Sequence, residues 1–303
     1  MRAITVRDRA AGVAGFTLTD LPYPHAAEND VIVRVHAAGF TPGELGWPAT
    51  WTDRAGRDRT PSVPGHELSG VVVDLGYGTT GLTVGQRVFG LADWARDGTL
   101  AEFTAVEARN LAPLAADIEH TVAAALPISG LTAWQGLFVH AGLVAGQTVL
   151  IHGAAGGVGS IAVQLAREVG AYVIGTGRAA DRDVVLGLGA QEFRDLAEPL
   201  AGEVDVVFDV IGGAVLARST PLVRPGGAVV TIAAPPTEHP QDGRAVFFVV
   251  EADRGQLTEL AQRVRDGRLR VLVGDVRPLT EAADAVSGRR RGKTIIQVAA
   301  DQP

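Results

Sequence analysis

The sequence predicts an α/β protein in two parts, a mainly-β domain and a doubly wound parallel-sheet domain. Three observations carry that reading. The first third of the chain is rich in β-branched runs punctuated by Gly and Pro. From Thr148 onward, short apolar strands alternate with helical patterns, as in a parallel sheet covered on both faces. Between the first of these strands and the first of these helices stands a Gly-rich turn, Gly153-Ala154-Ala155-Gly156-Gly157-Val158-Gly159.

In chain order, Val31–Ala37 reads as a strand bounded by Asn29-Asp30 and Gly39, and Leu68–Leu75 as a second built on Gly70-Val71-Val72-Val73. Arg87–Gly90 and Ala101–Val106 follow with the same texture. Near residue 118 the texture changes, with helices expected over Thr121–Leu126 and Thr132–Ala141. Thr148–His152 is a buried-strand pattern. Val158, Ile161, Ala162, Leu165, Ala166 and Val169 then share one face of a helix. Strands are expected at Tyr172–Thr176, Asp205–Val210, Ala228–Ala233 and Ala245–Val250. A helix around Gln256–Asp266 and strands at Arg270–Val273 and Thr294–Val298 complete the chain.

With 303 residues the chain is long enough for about two domains and a core without staples. It has no cysteine, which excludes disulfides, thiolate catalysis and Cys-ligated metal. A formal charge of −7 argues against nucleic acid or an anionic membrane as partner, since both need a basic face. No apolar run reaches the roughly 18 residues of a spanning helix, and the first residues lack a signal-peptide core, so a cytoplasmic location is expected. Lys293 is the only lysine, so any other cation offered to a phosphate is an arginine or a histidine.

Against the pattern G-x-G-x-x-G, Ala154 takes the first glycine position, Gly156 the second and Gly159 the third. The second lets a pyrophosphate approach the backbone, and the third lets the helix pack close to the strand. The helix N-terminus then offers N–H groups and a positive dipole end to phosphates. The alternative is a plain tight turn, but the flanking strand, helix and second strand all fall where a dinucleotide-binding βαβ unit needs them. After that second strand an NAD site usually carries Asp or Glu, about 20 residues on. Here the residues are Thr176-Gly177-Arg178. A guanidinium fork pairs with a 2′-phosphate, and the Thr176 hydroxyl adds a donor, so NADP(H) is favoured over NAD(H). Arg182 is a second candidate for the same task.

Taken together, Pro64-Gly65-His66-Glu67-Leu68-Ser69-Gly70, Gly85-Gln86-Arg87-Val88-Phe89-Gly90, Gly130-Leu131-Thr132-Ala133-Trp134, the Gly-rich turn and Arg291-Gly292-Lys293 resemble the zinc-free medium-chain dehydrogenase/reductase superfamily, in its quinone oxidoreductase-like branch. The resemblance implies a GroES-like β domain drawn from both chain ends, over 1–120 and 270–303. A Rossmann domain over 121–269 would be inserted between them. It also implies a homodimer paired edge to edge through the strand at Ala245–Val250. It places Thr132 near the nicotinamide ribose, and Ala155, Gly156, Gly157 and Val158 at the pyrophosphate. Thr176 and Arg178 fall at the 2′-phosphate, and Asp209, Val210 and Ile211 beside the adenosine. Ala233 and Ala234 fall under the nicotinamide, Phe248 and Val249 at its carboxamide, and Arg291 or Lys293 on the phosphate side.

The chain also departs from that family. Where Asn, Asp and a nearby Tyr are common, it has Thr41, Glu44 and tryptophans, Trp47 and Trp51. The usual phenolic proton donor is absent. Backbone N–H groups, the Thr41 hydroxyl or water become the candidate donors to a carbonyl oxygen, and the two indoles become candidates for stacking on a flat substrate or for packing. Asp93-Trp94 is a further candidate lining. In zinc-dependent relatives a Gly-His-Glu motif supplies a zinc ligand, but the cysteines that complete such a set are missing here, so no metal is expected. The implied reaction is metal-free hydride transfer from NADPH to a quinone or an α,β-unsaturated carbonyl, both already electrophilic. Three alternatives remain open: an enoyl-thioester reductase of lipid or polyketide assembly, a zinc alcohol dehydrogenase, and a non-redox NADPH-binding protein.

Overall fold

The computed structural model describes residues 1–41, 43–287 and 291–299. The chain divides into two compact units. The first takes in residues 1–128, 252–265 and 272–303, and the second residues 129–251 and 266–271.

In the first unit, β1 (Arg2–Thr5) and β2 (Thr17–Asp20) form an antiparallel ribbon. A larger sheet holds β3 (Asp30–Gly39), β4 (Glu67–Leu75), β5 (Arg87–Leu91), β6 (Phe103–Glu107) and β7 (Leu111–Pro113). The C-terminal strands close it at one side. In the second unit, β8 (Thr148–Ile151), β9 (Tyr172–Gly177), β10 (Glu192–Asp195), β11 (Val204–Asp209), β12 (Val223–Thr231) and β13 (Arg244–Phe247) build one sheet. The remaining strands, β14 (Val273–Pro278) and β15 (Lys293–Gln297), return to the first unit, where β15 pairs antiparallel with β3.

The sheet of the second unit is parallel throughout, in the order β10-β9-β8-β11-β12-β13. Numbered within the unit this is 3-2-1-4-5-6, the doubly wound order in which ligands bind beyond the strands' carboxyl ends at the central switch. The switch lies between β8 and β11, so the turn after β8 occupies the expected position. Val149, Leu150 and Ile151 of β8 are fully buried, which is why this strand reads as a continuous apolar run rather than an alternating one. In the first unit, β3 is buried along nearly its whole length because it pairs with β4, β6 and β15. Val31, Val33, Val35, Phe40, Leu68, Val72, Val88 and Leu100 form that unit's core with Ile296 from the chain's other end.

Several elements differ from the sequence reading. The helix Arg254–Arg265, expected within 121–269, groups with the first unit. Arg254 donates to the Gly81 carbonyl and Arg265 pairs with Asp117, both in that unit. The helix expected over Thr132–Ala141 is α-helical only over Pro127–Trp134 and widens to a π-helix at Gln135–His140. There the Gln135 amide exchanges two hydrogen bonds with the Glu251 backbone, which fixes the widened turn. The strand expected at Arg270–Val273 begins at Val273, in register with Lys293.

Candidate cofactor and active sites

The Gly-rich turn is built by two close approaches. Gly153 sits at φ +66°, a left-handed conformation that glycine adopts at no steric cost. The tight-turn role that spacing gives to Ala154 therefore belongs to Gly153, and Ala154 is a buried residue whose N–H donates to the Thr176 carbonyl at 2.9 Å. At Gly159 a Cβ would stand 2.7 Å from the Gly153 carbonyl carbon and 2.8 Å from the Ala154 Cα, so only glycine lets the helix Gly157–Glu168 close on the turn. That helix opens at Gly156 without a side-chain cap. Its first N–H groups have no partner within the helix, and Gly156, Gly157 and Val158 are half-buried while Ala155 is buried. An uncapped helix start beside a cradle that a Cβ would fill fits the pyrophosphate of a dinucleotide.

At the end of β9, Thr176 is fully buried, and its hydroxyl is bonded to His152 Nδ1 at 2.8 Å. It is not free for a 2′-phosphate, because the side chain lies inside the strand layer. The Ser219 hydroxyl donates to the Val215 carbonyl, so its oxygen accepts from His152 Nε2 at 2.8 Å. His152 is thus the Nε2–H tautomer, and burial pushes its pKa down to about 4. Arg178 is exposed and holds no ion pair among the described residues. A carboxylate does stand at this corner, because Asp181 folds back to accept from the Arg178 backbone N–H at 3.3 Å. Arg182 lies over the Phe193 ring.

Asp209 is a correction of another kind. Its carboxylate is fully buried and accepts from the N–H groups of Ile211 and Gly212 and from the Thr231 hydroxyl at 2.7 Å. It ties the loop after β11 to β12 instead of presenting itself beside an adenosine. Val210 and Ile211 follow it on the surface side, half-buried and exposed respectively. Ala233 and Ala234 are exposed beyond β12. Phe248 is buried against the His140 ring at 4.3 Å, and Val249 is exposed. Thr132 is buried within Pro127–Trp134. Arg291 is exposed just before β15.

The first unit holds a buried polar cluster that spacing alone does not reveal. Glu44 is fully buried and accepts from the Gly65 N–H at 2.9 Å and from His66 Nδ1 at 3.0 Å. Glu67, also fully buried, accepts from the Ile128 N–H at 3.0 Å and pairs with the Lys293 ammonium. Burial pushes the Glu67 carboxyl up, against the pull of Lys293. Lys293 also donates to the Thr41 hydroxyl oxygen at 3.0 Å. Its ammonium is thus engaged by Glu67 and Thr41, both within the unit. Since Lys293 only donates, Thr41 Oγ1 is the acceptor and its own hydrogen is left for another partner.

The tryptophans separate. Trp47 packs edge-on to Trp94 at 5.1 Å, and both rings flank His66, at 6.0 and 5.0 Å. Trp51 instead donates from its indole to the Leu45 carbonyl at 2.8 Å and packs on the core. A catalytic zinc needs three protein ligands at short range, and among the described residues no group of three or more His, Cys, Asp or Glu that could hold a metal ion is found.

Comparisons with known proteins agree with this architecture. A family model described as alcohol dehydrogenase GroES-like domain matches residues 27–116, and one described as zinc-binding dehydrogenase matches residues 182–296. The chain is 36% identical over 321 residues to the spectinabilin polyketide synthase system protein NorB of Streptomyces orinoci, covering 95% of this chain but 14% of that protein. It is 31% identical over 301 residues to the 2-methylene-furan-3-one reductase of Solanum lycopersicum, covering 92% of this chain and 74% of that one. The structure of the quinone oxidoreductase from Coxiella burnetii superposes with a TM-score of 0.89 at 27% identity, covering 99% of each chain.

Proposed function

The chain belongs to the medium-chain dehydrogenase/reductase superfamily, in its quinone oxidoreductase-like branch, and we propose that it uses NADPH to reduce a quinone or an α,β-unsaturated carbonyl without a metal. When bound, NADPH supplies a hydride from nicotinamide C4. The chain's own residues bind and orient. The N–H groups opening Gly157–Glu168 hold the pyrophosphate, with Gly153 and Gly159 keeping the approach open. Arg178, with Arg182 beside it, takes the 2′-phosphate. Thr132, Ala233, Ala234, Phe248 and Val249 are assigned to the ribose and nicotinamide, and Val210 and Ile211 to the adenosine. In the first unit, Trp47 and Trp94 offer a flat acceptor two indole surfaces, and the Thr41 hydroxyl donates to its oxygen.

The observation that carries this reading is the uncapped helix start behind Gly153–Gly159, followed after β9 by an exposed arginine without an ion-pair partner among the described residues. The names of the relatives support a reductase of activated carbonyls, and an acceptor with a conjugated carbonyl needs no Lewis acid. The test is Arg178→Ala. A charge-assisted hydrogen bond contributes about 1.5–3 kcal/mol, so the preference for NADPH over NADH should fall by about 10- to 150-fold in kcat/KM. An unchanged preference refutes the 2′-phosphate assignment. NADPH consumption across quinones, enones and enoyl thioesters separates the acceptor classes. A homodimer is proposed through β13, the edge strand of the parallel sheet, which carries exposed Phe247. Light scattering in solution measures it.

A further inference from the structure

We infer that His66, seated by Glu44, is the residue that donates a hydrogen bond and then a proton to the carbonyl oxygen of the acceptor. The inference rests on the reductase reading and deepens it by supplying the proton donor that the missing tyrosine leaves open.

Three observations carry it. The first is an unpartnered atom. His66 is buried, its Nδ1 is held by Glu44, and its Nε2 has no hydrogen-bond partner among the described residues. A buried polar nitrogen without a partner is costly, and such atoms in native folds call for an explanation such as a bound group or a catalytic role. The second is the group on the other ring nitrogen. Glu44 is fully buried and its carboxylate faces His66 Nδ1 at 3.0 Å, the arrangement in which a carboxylate orients an imidazole. With a proton on each nitrogen, the Nδ1–H lies on Glu44 and the Nε2–H is free to donate. The third is the aromatic surround. The Trp94 ring centroid is 5.0 Å from that of His66 and the Trp47 centroid 6.0 Å, distances at which an aromatic ring attracts a cation. Both indoles are half-buried, so the cluster reaches the surface through them.

The His66–Glu44 pair has the arrangement of a carboxylate-oriented acid. The step balances as follows. The C4–H bond of NADPH breaks and its hydride forms a C–H bond at the β-carbon of an enone. The displaced π electrons move onto the carbonyl oxygen. The Nε2–H bond breaks and its proton goes to that oxygen, giving an enol that ketonises in solvent, NADP+ and neutral His66. Solvent returns the proton to His66. With a quinone the hydride reduces the ring and the proton goes to the oxygen that gains charge. Glu44 is a positioning residue, acting through the imidazole.

The experiment uses the whole chain, methyl vinyl ketone as acceptor, and His66→Asn and Glu44→Gln variants. A fluorescence titration with NADPH is run first on every protein. The expected result is that His66→Asn binds NADPH as the parent does while kcat falls by about 100-fold or more, the usual scale of general-acid catalysis. Parent turnover should show a solvent deuterium isotope effect that vanishes in His66→Asn. Glu44→Gln should lower kcat while leaving KM and NADPH affinity at the parent values, since it removes the carboxylate that orients Nδ1. The other charged groups of the cluster, Glu67 and Lys293, are unchanged in these variants, as is the Arg54–Asp93 pair beside Trp94. If His66→Asn binds NADPH and retains kcat within about threefold, the inference is overturned and the reductase reading stands. If the parent binds no NADPH, both fall. Should either variant not fold, parent turnover free of a solvent isotope effect overturns the inference by itself.

Discussion

Replacing Gly159 by alanine tests whether the turn is a cofactor cradle or only a tight connection. The added Cβ would stand 2.7 Å from the Gly153 carbonyl carbon, 2.8 Å from the Ala154 Cα and closer still to the Gly153 oxygen. Ordinary carbon–carbon contact begins near 3.5 Å, so the helix must back away by about 0.8 Å. Every obstructing atom is backbone, so no side-chain rotamer relieves it. The helix cannot move freely, because Ile161, Ala162, Val163, Leu165 and Ala166 are all buried along it. Overpacking of this kind costs about 1–3 kcal/mol, or roughly 3–12 °C in melting temperature for a unit of this size. Gly156→Ala is the contrasting case. Its Cβ meets only the Gly153 oxygen, at 3.2 Å, and Gly156 has φ −79°, which alanine adopts readily. Its folding cost should stay below about 1 kcal/mol, while the new methyl stands at the mouth of the uncapped helix and should raise the Kd for NADPH by about tenfold or more. Thermal melts and NADPH titrations of the two variants decide the matter. A Gly159→Ala protein that melts with the parent refutes the packing argument. A Gly156→Ala protein with parental affinity refutes the pyrophosphate assignment.

Two further predictions concern buried charge. His152 has a folded pKa of about 4 against an ordinary value of 6.5, so the folded state resists its protonation. The stability this neutral ring contributes is complete above pH 6.5 and is lost as pH falls through about 4, a change on the order of 3 kcal/mol. Denaturant unfolding across that window should show the loss, and a His152→Gln protein should lack this component. Lys293→Met strands the buried Glu67 carboxylate and should cost about 3–5 kcal/mol in unfolding experiments, with part of the loss recovered in the Lys293→Met, Glu67→Leu double variant. The affinity of the folded Lys293→Met protein for NADPH should stay within about twofold. A larger loss would restore Lys293 to the phosphate side.

What the sequence makes legible and what it hides follow from how far apart the interacting residues lie along the chain. The dinucleotide turn is local. Strand, glycines and helix run from Thr148 to Glu168 without interruption, so periodicity and glycine spacing predict both the βαβ unit and its position. Even there, spacing assigns the tight-turn role to Ala154, because a backbone φ of +66° at Gly153 leaves no mark in a residue pattern. The strand β10 goes unseen for a related reason: Glu-Phe-Arg-Asp has one apolar residue and sits at a sheet edge, where little burial is required. The first unit's cluster is of the opposite kind. Glu44 meets His66 across 22 residues, and Lys293 meets Thr41 across 252. Trp51, by contrast, is spent on Leu45 only six residues away. The three candidate residues Thr41, Trp47 and Trp51 look equivalent in the sequence, since each is a polar or flat side chain in one Gly- and Pro-rich stretch. Burial and partners divide them. Thr41 keeps a hydrogen to give, Trp47 stands beside the His66 ring, and Trp51 is committed to the core. The same division turns two carboxylates, one lysine and one histidine, ordinary surface residues by composition, into a buried set in which His66 Nε2 is left without a hydrogen-bond partner among the described residues.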